Sequence, residues 1–307
     1  MFPNISGATQ QYLADLDRTE AQLQQTSTEI TSGIDVQQPS DNPAAISEIL
    51  QTETAISNNK QIQSNLSNVT DEVNSADSAL QTAVQQLQSA ITLATEGASS
   101  TTSAAGRTAL AQQVADIQQT LVGIAQTQVN GRYIFSGDQD TQPPYQLDSS
   151  QPEGVQQLVT STSTRTIQSV DGTSFAVALT AQQIFDAKNP DGTPASGNVF
   201  AAVQNLATAL TNNDTAGISS ALDSLQSASS YLNNQLEFYG GVENRVQEAT
   251  DLAQKFQTQE QTELGSLQDT DIPTAATELT QLQTQEQASL TVESNIEQQK
   301  NLFSYLA

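Results

Sequence analysis

Residues 62–94 read IQSNLSNVTDEVNSADSALQTAVQQLQSAITLA. Within this stretch Ile62, Leu66, Val69, Val73, Ala76, Leu80, Ala83, Leu87, Ala90 and Ala94 recur at alternating steps of four and three residues. This heptad seam is sustained for over four repeats and predicts one apolar stripe along a single helix. Neither Gly nor Pro interrupts the chain from Ala44 to Glu96, and Gly97 offers a natural stop. A helix over that span is roughly 80 Å long at 1.5 Å per residue. The pair Asn58-Asn59 is where two shorter helices could instead meet. Such a stripe needs other helices to cover it. After the polar loop GASSTTSAAG, residues ~104–129 carry Leu110, Val114, Ile117, Leu121 and Ile124. That return seam predicts an antiparallel helical hairpin.

The pattern extends outward on both sides. Phe200, Val203, Leu206 and Leu210 begin a new helical segment, and residues ~215–265 continue it. There Leu222, Leu225, Leu232, Leu236 and Tyr239 form one seam, and Val242, Val246, Ala249, Ala253 and Phe256 form another after a shift at Gly240-Gly241. Residues ~132–180 instead have strand-like composition. Val170-Asp171-Gly172-Thr173 reads as a hairpin corner, so a small β-rich insertion is expected at 138–196.

At the amino end, Leu13, Leu16, Leu23 and Ile30 mark a helix over ~8–31. At the carboxyl end, a helix opened by Ile272-Pro273 carries Leu279, Leu282, Ser289, Val292, Ile296, Phe303 and Leu306. Neither terminal helix can bury its seam alone. The two ends are therefore expected to meet and to be covered further by neighbouring copies. The expected fold is mainly α: an elongated antiparallel bundle of long, coiled-coil-like helices, with both termini paired at one end and the β insertion at the other. The expected division is a terminal assembly domain (1–40 with 272–307), a long-helix rod (41–137 with 197–271) and the insertion (138–196).

Composition narrows the function. The net charge is −25, from 34 acidic and 9 basic residues. The cations (Arg18, Lys60, Arg107, Arg132, Arg165, Lys188, Arg245, Lys255, Lys300) are scattered. No basic patch exists to neutralise phosphates, so neither nucleic acid nor an anionic membrane surface is an expected partner. No apolar run reaches the roughly 18–20 residues of a membrane span. The start, MFPNISGATQQYLADLD, lacks the basic and apolar regions of a signal peptide. Cys and His are absent, which removes Ser-His and Cys-His nucleophiles and zinc sites. Asp138 with Asp140, and Asp269 with Asp271, read as turn aspartates. No catalytic residue, cofactor or metal is expected.

Two loops stand out. In GIDVQQPSDNPAA, Ser32-Gly33 ends the first helix. Ser40, Asp41 and Asn42 are helix N-cap types, and Pro43 suits a first helical turn. In NGRYIFSG, Tyr133, Ile134 and Phe135 read as a plug at the end of the helical hairpin, with Gly131 and Gly137 permitting the turns.

The block ITSGIDVQQPSDNPAA (Ile30–Ala45) resembles the signature of bacterial flagellins and their relatives, where a Ser-Gly turn (Ser32, Gly33) leads to a Pro, Ser-Asp-Asn-Pro segment (Pro39, Ser40, Asp41, Asn42, Pro43). The block NGRYIFSGDQDTQPPY (Asn130–Tyr145), with Gly131, Arg132, Tyr133, Ile134, Phe135, Ser136 and Gly137, is similar to the hook-associated branch of that family. The stretch from Leu264 to Ala307 resembles the same branch. The resemblance implies a structural component of the flagellum outside the cell, exported unfolded without a cleaved signal peptide. It implies an adapter layer joining hook to filament. The alternatives are a flagellin forming the filament itself or a secreted coiled-coil adhesin or tip protein. It further implies copies of the chain, a hook-side junction protein and flagellin as partners, and an export chaperone on the C-terminal seam from Leu282 to Leu306.

Overall fold

The computed structural model describes residues 7–305, with side chains described for 10–292 and 294. The expected seam positions Ile296, Phe303 and Leu306 lie outside the described side chains. The elements run α1 (Gly7–Ser32), α2 (Ile46–Ala98), α3 (Ala104–Ala125), β1 (Gln128–Val129), β2 (Arg132–Tyr133), β3 (Tyr145–Leu147), β4 (Val155–Gln157), β5 (Thr166–Gln168), β6 (Ser174–Ala176), α4 (Ala181–Phe185), α5 (Val199–Thr211), α6 (Thr215–Gln268) and α7 (Ile272–Tyr305). The fold is mainly α, as the heptad seams require. Two compact units divide the chain, one spanning Asn59–Phe256 and the other the described residues up to Asn58 and from Gln257 onward.

The Asn59–Phe256 unit is built on the α2 stripe. Leu66, Val73, Ala76, Leu80, Ala83, Leu87, Ala90 and Ala94 are buried in one core with Leu110, Val114, Ile117 and Leu121 of α3, Phe200, Val203 and Leu206 of α5, and Leu225, Leu232, Tyr239, Val242 and Val246 of α6. Ile62 and Val69 lie half-buried at its edge. The alternation of Leu with Ala lets neighbouring helices approach closely without voids. At the turn between α2 and α3, the buried Arg107 guanidinium donates to Gly97 O (2.7 Å), Ser99 O (2.9 Å) and Asn213 Oδ1 (2.6 Å). Gly97 lies inside the end of α2 rather than stopping it. A Cβ there would stand 2.4 Å from Leu210 Cδ2, so this close approach needs Gly.

The expected long helices run unbroken, and the alternative break at Asn58-Asn59 does not occur. Helix α2 is continuous through Asn58-Asn59, and the buried Asn59 amide donates to Ala253 O at 3.0 Å. Helix α6 is continuous through Gly240-Gly241. The flanking Tyr239 and Val242 are both 2% exposed, and their burial outweighs the cost of about 1 kcal/mol per Gly in a helix. Pro43 also differs from expectation. It sits in a turn before α2, where Asn42 Oδ1 accepts from Ala45 N (3.3 Å), and the helix starts at Ile46.

The insertion is less sheet-like than its composition suggests. Among the described residues the strands form three separate antiparallel pairs, β1–β2, β3–β4 and β5–β6. The hairpin corner expected at residues 170–173 joins β5 to β6, with Ile167 opposite Phe175. The first pair was not expected. Asn130 (φ 53°) and Gly131 (φ 77°) form its two-residue turn, and the Asn-Gly pair is the signal for it. Arg165 Nη1 holds Glu72 of α2 at 2.7 Å, and the Arg245 guanidinium of α6 lies 5.3 Å from the centre of the Phe175 ring. These contacts fix the β5–β6 hairpin to the helices.

A comparison of two leucines tests this hierarchy. Leu80→Ala is expected to cost the Asn59–Phe256 unit about 2–5 kcal/mol in denaturant unfolding. Leu16→Ala, at a half-buried position of α1, is expected to cost the monomer less than about 1 kcal/mol. Equal losses at the two positions would contradict the assigned core.

Candidate assembly surface

The second unit contains α1, α7, the first part of α2 and the last part of α6. Its helices are linked by a small backbone clasp. Gly33, at φ 75°, ends α1 by a backbone bond from its N–H to Glu29 O (2.8 Å). Ile34 then forms an antiparallel bridge with Asp269. Asp35 N donates to Gln268 O (2.8 Å) and Thr270 N to Gly33 O (2.9 Å). Thr270 Oγ1 also bonds Glu29 O (3.3 Å). The loop that leaves the clasp is internally braced. Ser32 Oγ accepts from Ile34 N and from the Gln37 amide, and Asp41 Oδ2 accepts from Gln37 N (3.0 Å) and Gln38 N (2.7 Å). The Ser32-Gly33 and Ser40-Asp41-Asn42 residues thus build a linker, with Pro39 and Pro43 in its turns. Sequence reading missed the clasp, whose only signal is the short β-branched alternation Ile34-Asp35-Val36.

From this clasp α1 and α7 pack against each other as an antiparallel pair. The Tyr12 hydroxyl donates to Ser289 O near one end, and Thr270 meets Glu29 at the other. The facing stripe on α1 is Tyr12, Leu16, Thr19, Leu23, Thr26 and Ile30, of which only Thr26 is buried. On α7 it is Ala275, Leu279, Leu282, Glu286 and Ser289, with Ala275 and Leu282 buried. Thr19, Thr26, Glu286 and Ser289 interrupt this stripe and few of its apolar members are buried, so the pair leaves apolar area wet. Leu13, Leu50, Ile272, Leu290 and Val292 are exposed by 39–56%. Of the expected seam positions, the structure therefore places Leu16, Leu23, Ile30, Leu279 and Leu282 along the pair, and Leu13 and Val292 on its exposed surface.

The NGRYIFSG block lies in the other unit and is a packing device. Ile134 and Phe135 are 3% and 1% exposed. Phe135 meets the edges of Phe185 (6.1 Å) and Tyr239 (6.4 Å). Arg132 Nε holds Asp140 Oδ2 at 2.6 Å, and Ser136 Oγ bonds Gln142 O at 2.8 Å. Gly137 has φ 61°, and a Cβ there would lie 2.5 Å from Ser163 O. Tyr133 is half-buried. Asp140 is thus an ion-pair partner, and Asp271 accepts from Thr274 Oγ1 (2.8 Å) at the start of α7.

Among the described residues no group of three or more His, Cys, Asp or Glu side chains could hold a metal ion. No described helix is long and apolar enough to cross a membrane. The surface offers burial rather than chemistry. An exposed Leu or Val gains about 1.5–3 kcal/mol when fully covered, and several in one helical pair make a surface suited to other helices.

Comparison with known proteins identifies the family. The family model for the bacterial flagellin N-terminal helical region matches residues 4–140. The model for the bacterial flagellin C-terminal helical region matches residues 215–306. Together they span most of the chain. No curated protein matches the sequence. The fold is similar to that of a putative flagellar hook-associated protein from Vibrio parahaemolyticus (18% identity, TM-score 0.64, covering 75% of this chain and 100% of that one). It is similar also to flagellar hook-associated protein 3 from Legionella pneumophila (15%, 0.61, 71% and 98%) and to FlgL from Bacillus cereus (16%, 0.56, 70% and 99%). With its two terminal helical regions matched and its long helices packed as described, the chain belongs to the bacterial flagellin family and is a structural protein of the flagellum, not an enzyme.

Proposed function

We propose that this protein forms the adapter layer that joins the flagellar hook to the filament. The observation that carries the proposal is the incomplete burial of α1 and α7: a two-helix pair with Leu13, Leu290 and Val292 left exposed is a half-built core. Neighbouring copies complete it. The terminal residues 1–40 and 272–307 act as the assembly domain, residues 41–137 with 197–271 as the rod, and residues 138–196 as the insertion. The likeness to proteins named as hook-associated supports a junction role over bulk filament, as does the small insertion. Copies of the chain, a hook-side junction protein and flagellin are its partners in the layer. Before assembly, an export chaperone covers α7, because an uncovered apolar stripe at high concentration would associate prematurely. Folding of the terminal pair is then coupled to assembly, as in an obligate oligomer.

A flagellin forming the filament itself is the second reading, and it is favoured by the match of both flagellin family models. A deletion strain separates the two. Loss of a junction layer is expected to leave hooks on the cell and to release flagellin monomer into the medium. A strain that lacks flagellin altogether, with this chain as the bulk filament protein, would reject the junction role.

Exposed seam positions give a test on purified protein. Leu13→Asp and Val292→Asp are expected to leave circular dichroism of the monomer unchanged. They are expected to weaken self-assembly by ~100-fold or more in sedimentation, since each removes apolar burial and puts a charge in a dry contact. Assembly at wild-type strength in both variants would overturn the role given to these helices.

A further inference from the structure

Within the insertion, a cluster of charged side chains takes no part in the assembly surface. Asp186, the residue that ends α4, is completely buried. Its Oδ1 accepts from Asn198 Nδ2 (2.8 Å), the residue that caps α5. Its Oδ2 accepts from the Tyr145 hydroxyl of β3 (2.8 Å) and from Lys188 Nζ (3.0 Å). Lys188 Nζ also faces Glu153 Oε2, 4.0 Å away, on the loop between β3 and β4. The Glu153 backbone carbonyl in turn accepts from the Gln118 amide of α3 (3.0 Å). The groups facing this point are therefore Asp186 and Lys188 after α4, Tyr145 from β3, Glu153 from the β3–β4 loop, and the neutral amides of Asn198 and Gln118 from α5 and α3.

The charges do not balance. Two carboxylates face one ammonium, and Tyr145 stays neutral because burial, then the Asp186 charge beside it, push its phenol far up. An excess negative charge in a largely dry site is costly, and one bound proton removes it. Two adjacent carboxyls commonly settle in this way. The geometry points to a proton-operated latch: Glu153, holding a proton beside Lys188 and the buried Asp186, keeps the β3–β4 loop against the N-terminus of α5, and the loop loosens when Glu153 is ionised.

The direction follows from the local environment. Burial first, and the Asp186 charge second, raise Glu153 above the ordinary carboxylate range, while Lys188 pulls it back. A folded carboxyl that holds its proton more tightly than the unfolded chain stabilises fully in acid, and that contribution is lost as pH rises through the folded value. The latch therefore tightens toward acid and slackens as pH rises. The inference concerns the insertion alone and stands whichever flagellar position the chain occupies.

Hydrogen exchange on the full chain, read by mass spectrometry on peptides covering residues 145–157, tests it. Rates are referred at each pH to those of an unstructured peptide. Protection in the wild type is expected to fall about threefold or more between pH 5 and pH 8, the direction imposed by a carboxyl that holds its proton more tightly in the closed latch than in the open loop. Glu153→Gln, which keeps a neutral hydrogen-bonding side chain, is expected to hold protection flat over that range. Lys188→Gln removes the cation that opposes protonation, so the fall is expected at higher pH. A flat wild-type profile overturns the latch. So does an equal fall in Glu153→Gln, or a Lys188→Gln midpoint that stays in place or moves down.

Discussion

Covering the apolar stripe of α2 is the constraint on which the Asn59–Phe256 unit depends. From Leu66 to Ala94 its buried members are at most 3% exposed, and helices α3, α5 and α6 each supply part of the cover. The stripe alternates large and small residues. Leu80 and Leu87 fill space, while Ala76, Ala83 and Ala90 admit the neighbouring backbones. Such packing needs few aromatics, and the rings that do occur in this core gather at the end of the helical hairpin, where Phe135, Tyr145, Phe185, Phe200 and Tyr239 meet. Long helices provide reach, and the aromatic group closes the space where their regular packing ends.

The terminal helices use the same heptad spacing with different residues. On α1 the inward positions include Thr19 and Thr26, and on α7 they include Glu286 and Ser289. A stripe interrupted by polar positions holds a pair in register without providing a stable core. The backbone bonds of Gly33, Asp35, Gln268 and Thr270 compensate by fixing where α1 ends and α7 begins. In the proposed layer this division of labour would leave the terminal unit open for association, and burial withheld from the monomer would be gained on assembly.

Much of this was legible because long-range order here repeats a short pattern. Leu110 to Leu121 and Leu66 to Ala94 announce their helices by spacing alone, and the Asp171-Gly172 corner announces a turn by its backbone needs. The features that escaped depend on contacts between distant residues. The Ile34–Asp269 bridge is too short to leave a strand pattern. Gly240-Gly241 reads as a shift in the seam, yet Tyr239 and Val242 on either side of it are both buried, and the partners that bury them lie far away in sequence. The insertion looks like a sheet by composition, but its two strand pairs, β3–β4 and β5–β6, are not hydrogen-bonded to each other. For the candidate site, spacing identified Leu16, Leu23, Leu279 and Leu282 as members of facing stripes. It could not tell Leu13 and Val292 apart from them, because exposure depends on the azimuth at which two helices happen to meet.

Charge imposes a further condition on any assembly built from this chain. A net charge of −25 per copy is multiplied in a layer of copies, and like charges brought together in a dry contact would oppose association strongly. Helix α7 meets this condition through composition, since Gln and Thr fill most of its polar positions where surface helices commonly carry Glu and Lys. Neutral amides and hydroxyls can exchange water for one another at little net cost, whereas carboxylates could not. Acidic side chains kept on solvated faces are screened over roughly 8 Å at physiological salt, so they maintain solubility without reaching across a contact. The Gln- and Thr-rich polar faces are therefore as much a part of the assembly chemistry as the leucines beside them.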